Sequence, residues 1–370
     1  MHRTVRKPRL IAASLAAIVI AVGALVAAGT ASGSAENHYT VHNLVSDQPG
    51  VADHTDPNLV NPWGITASST SPWWVSDNGM DVSTLYNGDG VAQFPPTPLV
   101  VSVPGGPTGT VFNGSTGFVI SDGTNSGPAR FLFATEAGTI RGWNPGVPPP
   151  PLSTHTFIGP NDADQSGAGA IFKGLAIAGD RLFATDFHNA KVDVFDSSFH
   201  LLPGGFVDPK LPRGFAPFGI QVLGGNVFVT YAKQDQDAKD EVAGQGLGFV
   251  DEYTTGGDLV ARVAQHGQLN APWGLAIAPA EWGKASGDLL VGNFGDGRIN
   301  VFESKKDGKW EPKGQLKGEH GKPIAIDGLW GIGFGNGSGS GDTDDLYFAA
   351  GPDDEMHGLF GEIAAASGDR

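Results

Sequence analysis

The sequence predicts an all-β chain folded as a six-bladed β-propeller, and three observations carry that prediction. First, a Gly-centred apolar turn recurs six times, with Gly64, Gly109, Gly174, Gly219, Gly274 and Gly331 at its centre. The intervals of 45, 65, 45, 55 and 57 residues are the length of one four-stranded blade with insertions in some loops. Second, each turn opens an alternating strand that two further strands follow, joined by links rich in Gly, Asn and Asp. Third, the last blade runs out of chain before its outer strand, while Tyr39 to Val45 forms a strand with no blade of its own. Pairing those two closes the ring and removes two exposed sheet edges.

Taken in order, the blades show second and third strands as follows. Blade one has Trp73 to Asp77, then Ser83 to Tyr86, and blade two has Phe131 to Glu136, then Thr139 to Trp143. Blade three has Leu182 to Asp186, then Ala190 to Asp196, and blade four has Val227 to Tyr231, then Gly248 to Tyr253. Blade five is the clearest, with Trp273 to Ala278, Asp288 to Asn293 and Gly297 to Glu303. Its Asn293–Gly297 link tolerates the positive φ of a tight hairpin. Blade six has Asp345 to Ala350, then His357 to Ile363. Pro145 to Pro151 reads as a stiff connector between blades two and three. The Trp or Phe before each glycine is expected to fill space between wedge-shaped sheets, and the glycine to let backbones approach near the axis.

Residues 1–35 read as an export signal: His2, Arg3, Arg6, Lys7 and Arg9 precede an uncharged apolar run from Leu10 to Ala28, then small residues. An uncleaved N-terminal anchor is the rival reading, because the run is long enough to span a bilayer. The domain organisation is thus a signal at 1–35, a propeller at 36–363 and a short tail at 364–370, in a secreted protein with no later membrane insertion. Beyond residue 35 the chain carries 19 Lys/Arg against 39 Asp/Glu, a net of −20. Such a surface repels nucleic acid, which is excluded as a partner. There is no cysteine, so neither disulfides nor thiolate metal sites are available.

The segment Ala184-Thr185-Asp186-Phe187-His188-Asn189-Ala190-Lys191-Val192-Asp193-Val194-Phe195 resembles the NHL repeat. More broadly, three segments make residues 39 to 363 similar to a family of uncharacterised secreted bacterial NHL-like six-bladed propellers. They are Leu59-Val60-Asn61-Pro62-Trp63-Gly64-Ile65, Tyr231-Ala232-Lys233-Gln234-Asp235 leading into Gly248-Phe249-Val250-Asp251, and Ala350-Gly351-Pro352-Asp353-Asp354-Glu355 with Gly358-Leu359-Phe360-Gly361. The resemblance implies the fold and brings no activity or catalytic residue. The Pro-Glu-Pro sorting signal that some members carry has no counterpart in the final residues, Ala364 to Arg370.

Aligning the second strands puts Asp77, Glu136, Asp186, Tyr231, Asn293 and Gly351 at one position per blade. Asp77, Glu136, Asp186 and Asn293 converging there would form a hard oxygen site suited to Ca²⁺, the one cofactor the sequence suggests. The alternative is that Asp and Asn nucleate each hairpin. Tyr231 and His188 are binding candidates, with His188 as base or ligand, or a solvated loop residue. In Asp353-Asp354-Glu355-Met356-His357, Glu355 and His357 share a face if the segment is a strand. A hydrogen-bonded turn bracing the closing blade is the other reading. The charged insertion from Lys233 to Gly248 is expected to cover one face of the disc. Two functions follow. One is a monomeric binding protein that recognises an extracellular protein, glycan or small molecule. The other is a divalent-cation-dependent, lactonase-like hydrolase or lyase with an axial metal.

Overall fold

The computed structural model describes residues 38–149 and 152–366; residues 1–35, expected from the sequence to be an export signal, lie outside them. Six sheets stand in a ring. Their inner strands are Pro62–Thr66, Pro107–Phe112, Phe172–Ala178, Phe215–Leu223, Pro272–Ile277 and Leu329–Phe334. Each meets the next around the axis, and the last meets the first. The N-terminal strand Tyr39–Ser46 pairs antiparallel with Leu359–Ala365 and supplies the outer strand of blade six, as expected. His54–Thr55 adds a short parallel strand outside it. A small hairpin, Val119–Ser121 with Ser126–Pro128, is inserted in blade two.

The glycines close the ring. A Cβ at Gly64 would lie 2.6 Å from the Thr108 carbonyl oxygen, one at Gly219 2.1 Å from that of Trp273, and one at Gly331 2.6 Å from that of Trp63. No larger residue fits where neighbouring inner strands approach this closely. The residue before each glycine is Trp63, Thr108, Lys173, Phe218, Trp273 or Trp330.

The aromatic residues among these depart from expectation, because they fill the axis rather than the space between adjacent blades. Trp63 and Trp330 stack at 3.5 Å, and Trp63 also meets Trp273 of blade five edge-on at 6.3 Å. Phe218 of blade four meets Trp330 of blade six at 5.7 Å. Contacts between non-adjacent blades are geometrically available only across the axis. Gaps between blades are filled instead by aliphatic and aromatic residues from the faces of the sheets, in six separate clusters.

The proline-rich stretch is also placed differently. It lies inside blade two, between strands Ile140–Trp143 and Phe157–Ile158, rather than between blades; residues 150 and 151 are outside the described set.

Candidate functional site

The face that carries the links between second and third strands, called the upper face below, receives the plug of Trp63, Phe218, Trp273 and Trp330 at its centre. Lys173 is the one charged residue among the six that precede the ring glycines, and its side chain is 1% exposed. Its ammonium sits over the Trp63 ring, 5.1 Å from the centroid. The Trp273 indole N–H donates to the Lys173 carbonyl at 3.0 Å, tying blade five to blade three across the axis.

The Lys173 ammonium donates to Oε1 of Glu136 at 2.6 Å and to Oδ1 of Asp240 at 3.1 Å. From Glu136 a chain of polar groups runs back around the mouth. Asn78 Nδ2 donates to Glu136 Oε2 at 3.0 Å, Asn61 Nδ2 to Asn78 Oδ1 at 3.4 Å, and Trp330 Nε1 to Asn61 Oδ1 at 3.2 Å. A donor at one end, the Trp330 indole, and an acceptor at the other, the Glu136 carboxylate, fix the orientation of the two amides. Five blades thus meet in one network around a buried cation.

Two further carboxyls face this cation. Glu241 lies on the long insertion of blade four, which is held over the mouth by Gln234 Nε2 donating to the Phe187 carbonyl at 2.6 Å. Glu355 ends a turn in which Asp353, Asp354 and Glu355 take φ of 59°, 52° and 65° in succession. Three consecutive non-glycine residues in the left-handed region are costly, and such strain clusters where a side chain must be aimed. The turn delivers Glu355 to Asn61 and toward Lys173, and leaves its Oε1 buried with no partner.

The electrostatics follow from burial and charge count. Burial opposes the Lys173 charge, but Glu136, Glu241 and Asp240 outweigh it and raise its pKa. Burial likewise opposes ionisation of Glu136, but Lys173 and Asn78 hold its carboxyl below the usual range. Burial pushes Glu241 up to about 7 against the pull of Lys173, with Glu355 and Asp240 adding to the rise. Burial also raises Glu355, with Lys173 opposing and Glu136 reinforcing. The mouth therefore holds one buried cation paired with two carboxylates, and two further carboxyls that take up protons readily.

The residues singled out from sequence scatter around this site. Pro62, Pro107 and Phe172 pair with Asp77, Thr135 and Asp186, so blade two's equivalent of Asp77 is Thr135 and not Glu136. Blade six's equivalent is Ala350, not Gly351, since Leu329 pairs with Ala350. Asp77 Oδ2 accepts the Thr84 N–H at 2.9 Å, and burial raises the Asp77 pKa. Thr135 Oγ1 accepts the Thr139 N–H at 3.1 Å, and Asp186 Oδ1 accepts that of Asn189 at 3.2 Å. Asn293 Nδ2 donates to Asp296 at 2.9 Å. These side chains stay within their own blades and hairpins, whereas Glu136, one residue further along, points to the axis. Among the described residues, the one group of three or more acidic or His side chains with ligand atoms within 4.8 Å of one another is Asp342, Asp344 and Asp345. Asp77, Glu136 and Asp186 form no such group.

Tyr231 lies off the axis, its hydroxyl 2.6 Å from that of Tyr253. Next to it Arg262 pairs with Asp251 and Asp208, and burial pushes Asp251 up to about 7. His188 is exposed, its Nδ1 3.2 Å from the Ala238 carbonyl beside the blade-four insertion. The 353–357 segment is a turn rather than a strand, so Glu355 and His357 separate. His357 Nδ1 lies 2.8 Å from Asp47, bracing the closing blade. The Asp353 N–H donates to Asp327 at 3.0 Å.

Sequence reading missed Lys173, Asn61, Asn78, Asp240 and Glu241 as site residues. For Lys173 a signal existed: one cation at a repeat position otherwise occupied by Trp, Phe or Thr.

No model of a described protein family matches the chain. A protein of Acanthamoeba polyphaga mimivirus described as uncharacterised is 33% identical over 333 residues, covering 88% of this chain and 80% of its own. A second uncharacterised protein of the same virus is 34% identical over 336 residues, covering 88% of this chain and 85% of its own. Among solved structures, a glucose dehydrogenase superposes with a TM-score of 0.51 at 13% identity, over 89% of this chain and 100% of that one, a likeness of fold alone. The chain belongs to the β-propeller family of these two mimivirus proteins.

Proposed function

We propose that this protein is a binding propeller whose ligand enters the upper axial mouth, and that the ligand is a small neutral molecule rich in hydroxyl groups. The observation that carries the reading is the excess of acceptors around Lys173. Glu136, Asp240, Glu241 and Glu355 face one buried ammonium, with only the exposed Lys239 added 3.7 Å from Asp240, and Glu355 Oε1 is buried without a donor. The plug adds an unpaired donor, since Trp63 Nε1 is also buried without a partner. A hydroxyl both donates and accepts, so a polyol or carbohydrate meets both needs, while an anion is repelled by the carboxylates. Export through the N-terminal segment belongs to the same reading, with the ligand met outside the cell.

A melt of residues 36–370 against neutral monosaccharides and against gluconate tests it. A neutral sugar is expected to raise Tm by mass action, and Glu355→Gln to reduce the shift. Gluconate is expected to do neither. No shift with any neutral sugar sinks the proposal. A divalent-cation-dependent hydrolase or lyase is the second reading, favoured by the same four carboxylates. There Ca²⁺ would have to compete with the Lys173 ammonium for Glu136 and Asp240. A Tm rise with millimolar Ca²⁺ that grows in Lys173→Met would favour that reading over the first.

A further inference from the structure

The opposite, lower end of the axis holds a cavity of about 300 Å³. It is built by the far ends of the inner strands of blades one, four, five and six, with Thr66, Gln221, Ile277 and Phe334 in its wall. Towards the plug, a separate space of only about 30 Å³ lies between the ring glycines beside Trp273, sharing Ile65, Gln221, Leu275 and Ile332 with the larger one. The larger cavity is therefore a blind cup and not a pore.

Its rim is rigidly made. Asn336 Nδ2 donates to the carbonyls of Ser68 and Ser71 at 2.8 and 2.9 Å, and its Oδ1 accepts the N–H groups of Ser338 and Ser340 at 2.9 and 3.1 Å. The first two bonds tie a loop of blade six to a loop of blade one and the other two brace the blade-six loop itself, so the cup is pre-formed, which lowers the entropic cost of binding.

The composition of the wall is what selects a ligand. In a chain with 39 acidic and 23 basic residues, no ionisable side chain among the described residues lines this cup. Its polar equipment includes the Thr66 hydroxyl and the amide of Gln221, which is exposed and makes no hydrogen bond among the described residues. An ionised ligand would lose hydration there with no counter-charge to replace it.

We infer that the lower cup is a binding site for a small uncharged molecule with an apolar ring or chain and one amide-like polar group, which pairs with Gln221. The amide meets donor with acceptor and acceptor with donor, and the apolar body rests on Ile277 and Phe334.

Ligand-observed NMR titration with cyclohexanecarboxamide tests this, with cyclohexanecarboxylate as its charged near-isostere. Saturable binding of the carboxamide in the millimolar range or tighter is expected, with the carboxylate at least about tenfold weaker. Ile277→Arg places a charge at a rim position that is 37% exposed, and is expected to abolish binding. Val207→Arg places the same charge at a remote position, 71% exposed, and is expected to leave binding unchanged. Should Ile277→Arg not fold, Gln221→Glu alters charge without size and is expected to weaken the carboxamide. Absence of saturable carboxamide binding, equal affinity for the carboxylate, or full binding by Ile277→Arg or Gln221→Glu would each overturn the inference. Because no upper-face residue takes part, this result and that of the sugar titration stand apart.

Discussion

At the upper end of the axis a buried lysine is surrounded by four carboxyl groups, and the protein's backbone is bent through three left-handed residues to bring one of them in. At the lower end, 300 Å³ of space is walled by the same inner strands and carries no ionisable group. The ring of glycines lies between the two. The repeat is therefore a frame whose two ends are independently editable. Residues on one side of the glycine face one mouth and those on the other side face the opposite mouth, and at Lys173 the ring accommodates a charge on the upper side.

The frame is what both ends share, so breaking it is expected to have the largest effect. Gly219→Val drives a side chain into the Trp273 carbonyl, 2.1 Å from where its Cβ would sit. A loss on the order of 4 kcal/mol or outright failure to fold is expected, read by urea denaturation, with both mouths lost together. A fully stable variant would show that the ring does not depend on these approaches.

Lys173→Met acts on one end alone. It strips Glu136 and Asp240 of their buried cation, and about 2–4 kcal/mol of destabilisation is expected, since removing one partner strands the others. Adding Glu136→Gln is expected to recover part of it. The lower cup is expected to keep its ligand in any variant that remains folded. Equal stability of Lys173→Met and the parent would deny the ion pair a structural role.

Glu241→Gln is the finest probe. In the folded state burial raises the Glu241 pKa to about 7 from 4.5, so between those values the folded protein holds more protons than the unfolded chain. Stability is therefore expected to fall as pH rises through that window, and the ionised group remains a liability above it. The variant removes this penalty. It is expected to melt above the parent at pH 8 and level with it near pH 4, a difference read from paired thermal scans. A pH-independent difference would place Glu241 outside the buried network.

The architecture was legible because its signals are local. A glycine that recurs at blade spacing, an alternating strand after it and an unpaired strand at each end of the chain are patterns in the primary sequence. They led to six blades and to the closing pair of Tyr39–Ser46 with Leu359–Ala365. The site was legible only in part. Glu136 was chosen by an alignment that slipped by one residue, as it did at Gly351 of blade six, whereas Glu355 came from a separate acidic cluster read as a strand or a turn, and a slip of one reverses the side chain. That reversal is why Glu136 reaches the axis while Asp77 and Asp186 brace hairpins.

What the sequence determined by itself was the repeat, its closure and the glycines at the axis, since each follows from short-range periodicity and steric need. What only the tertiary structure decided was the company of Lys173. Glu136 lies 37 residues before it and Asp240 67 residues after it, and no spacing along the chain relates them. Closing the ring turns their separate loops toward one axis, and burial there makes the Lys173 cation and its carboxyls depend on one another.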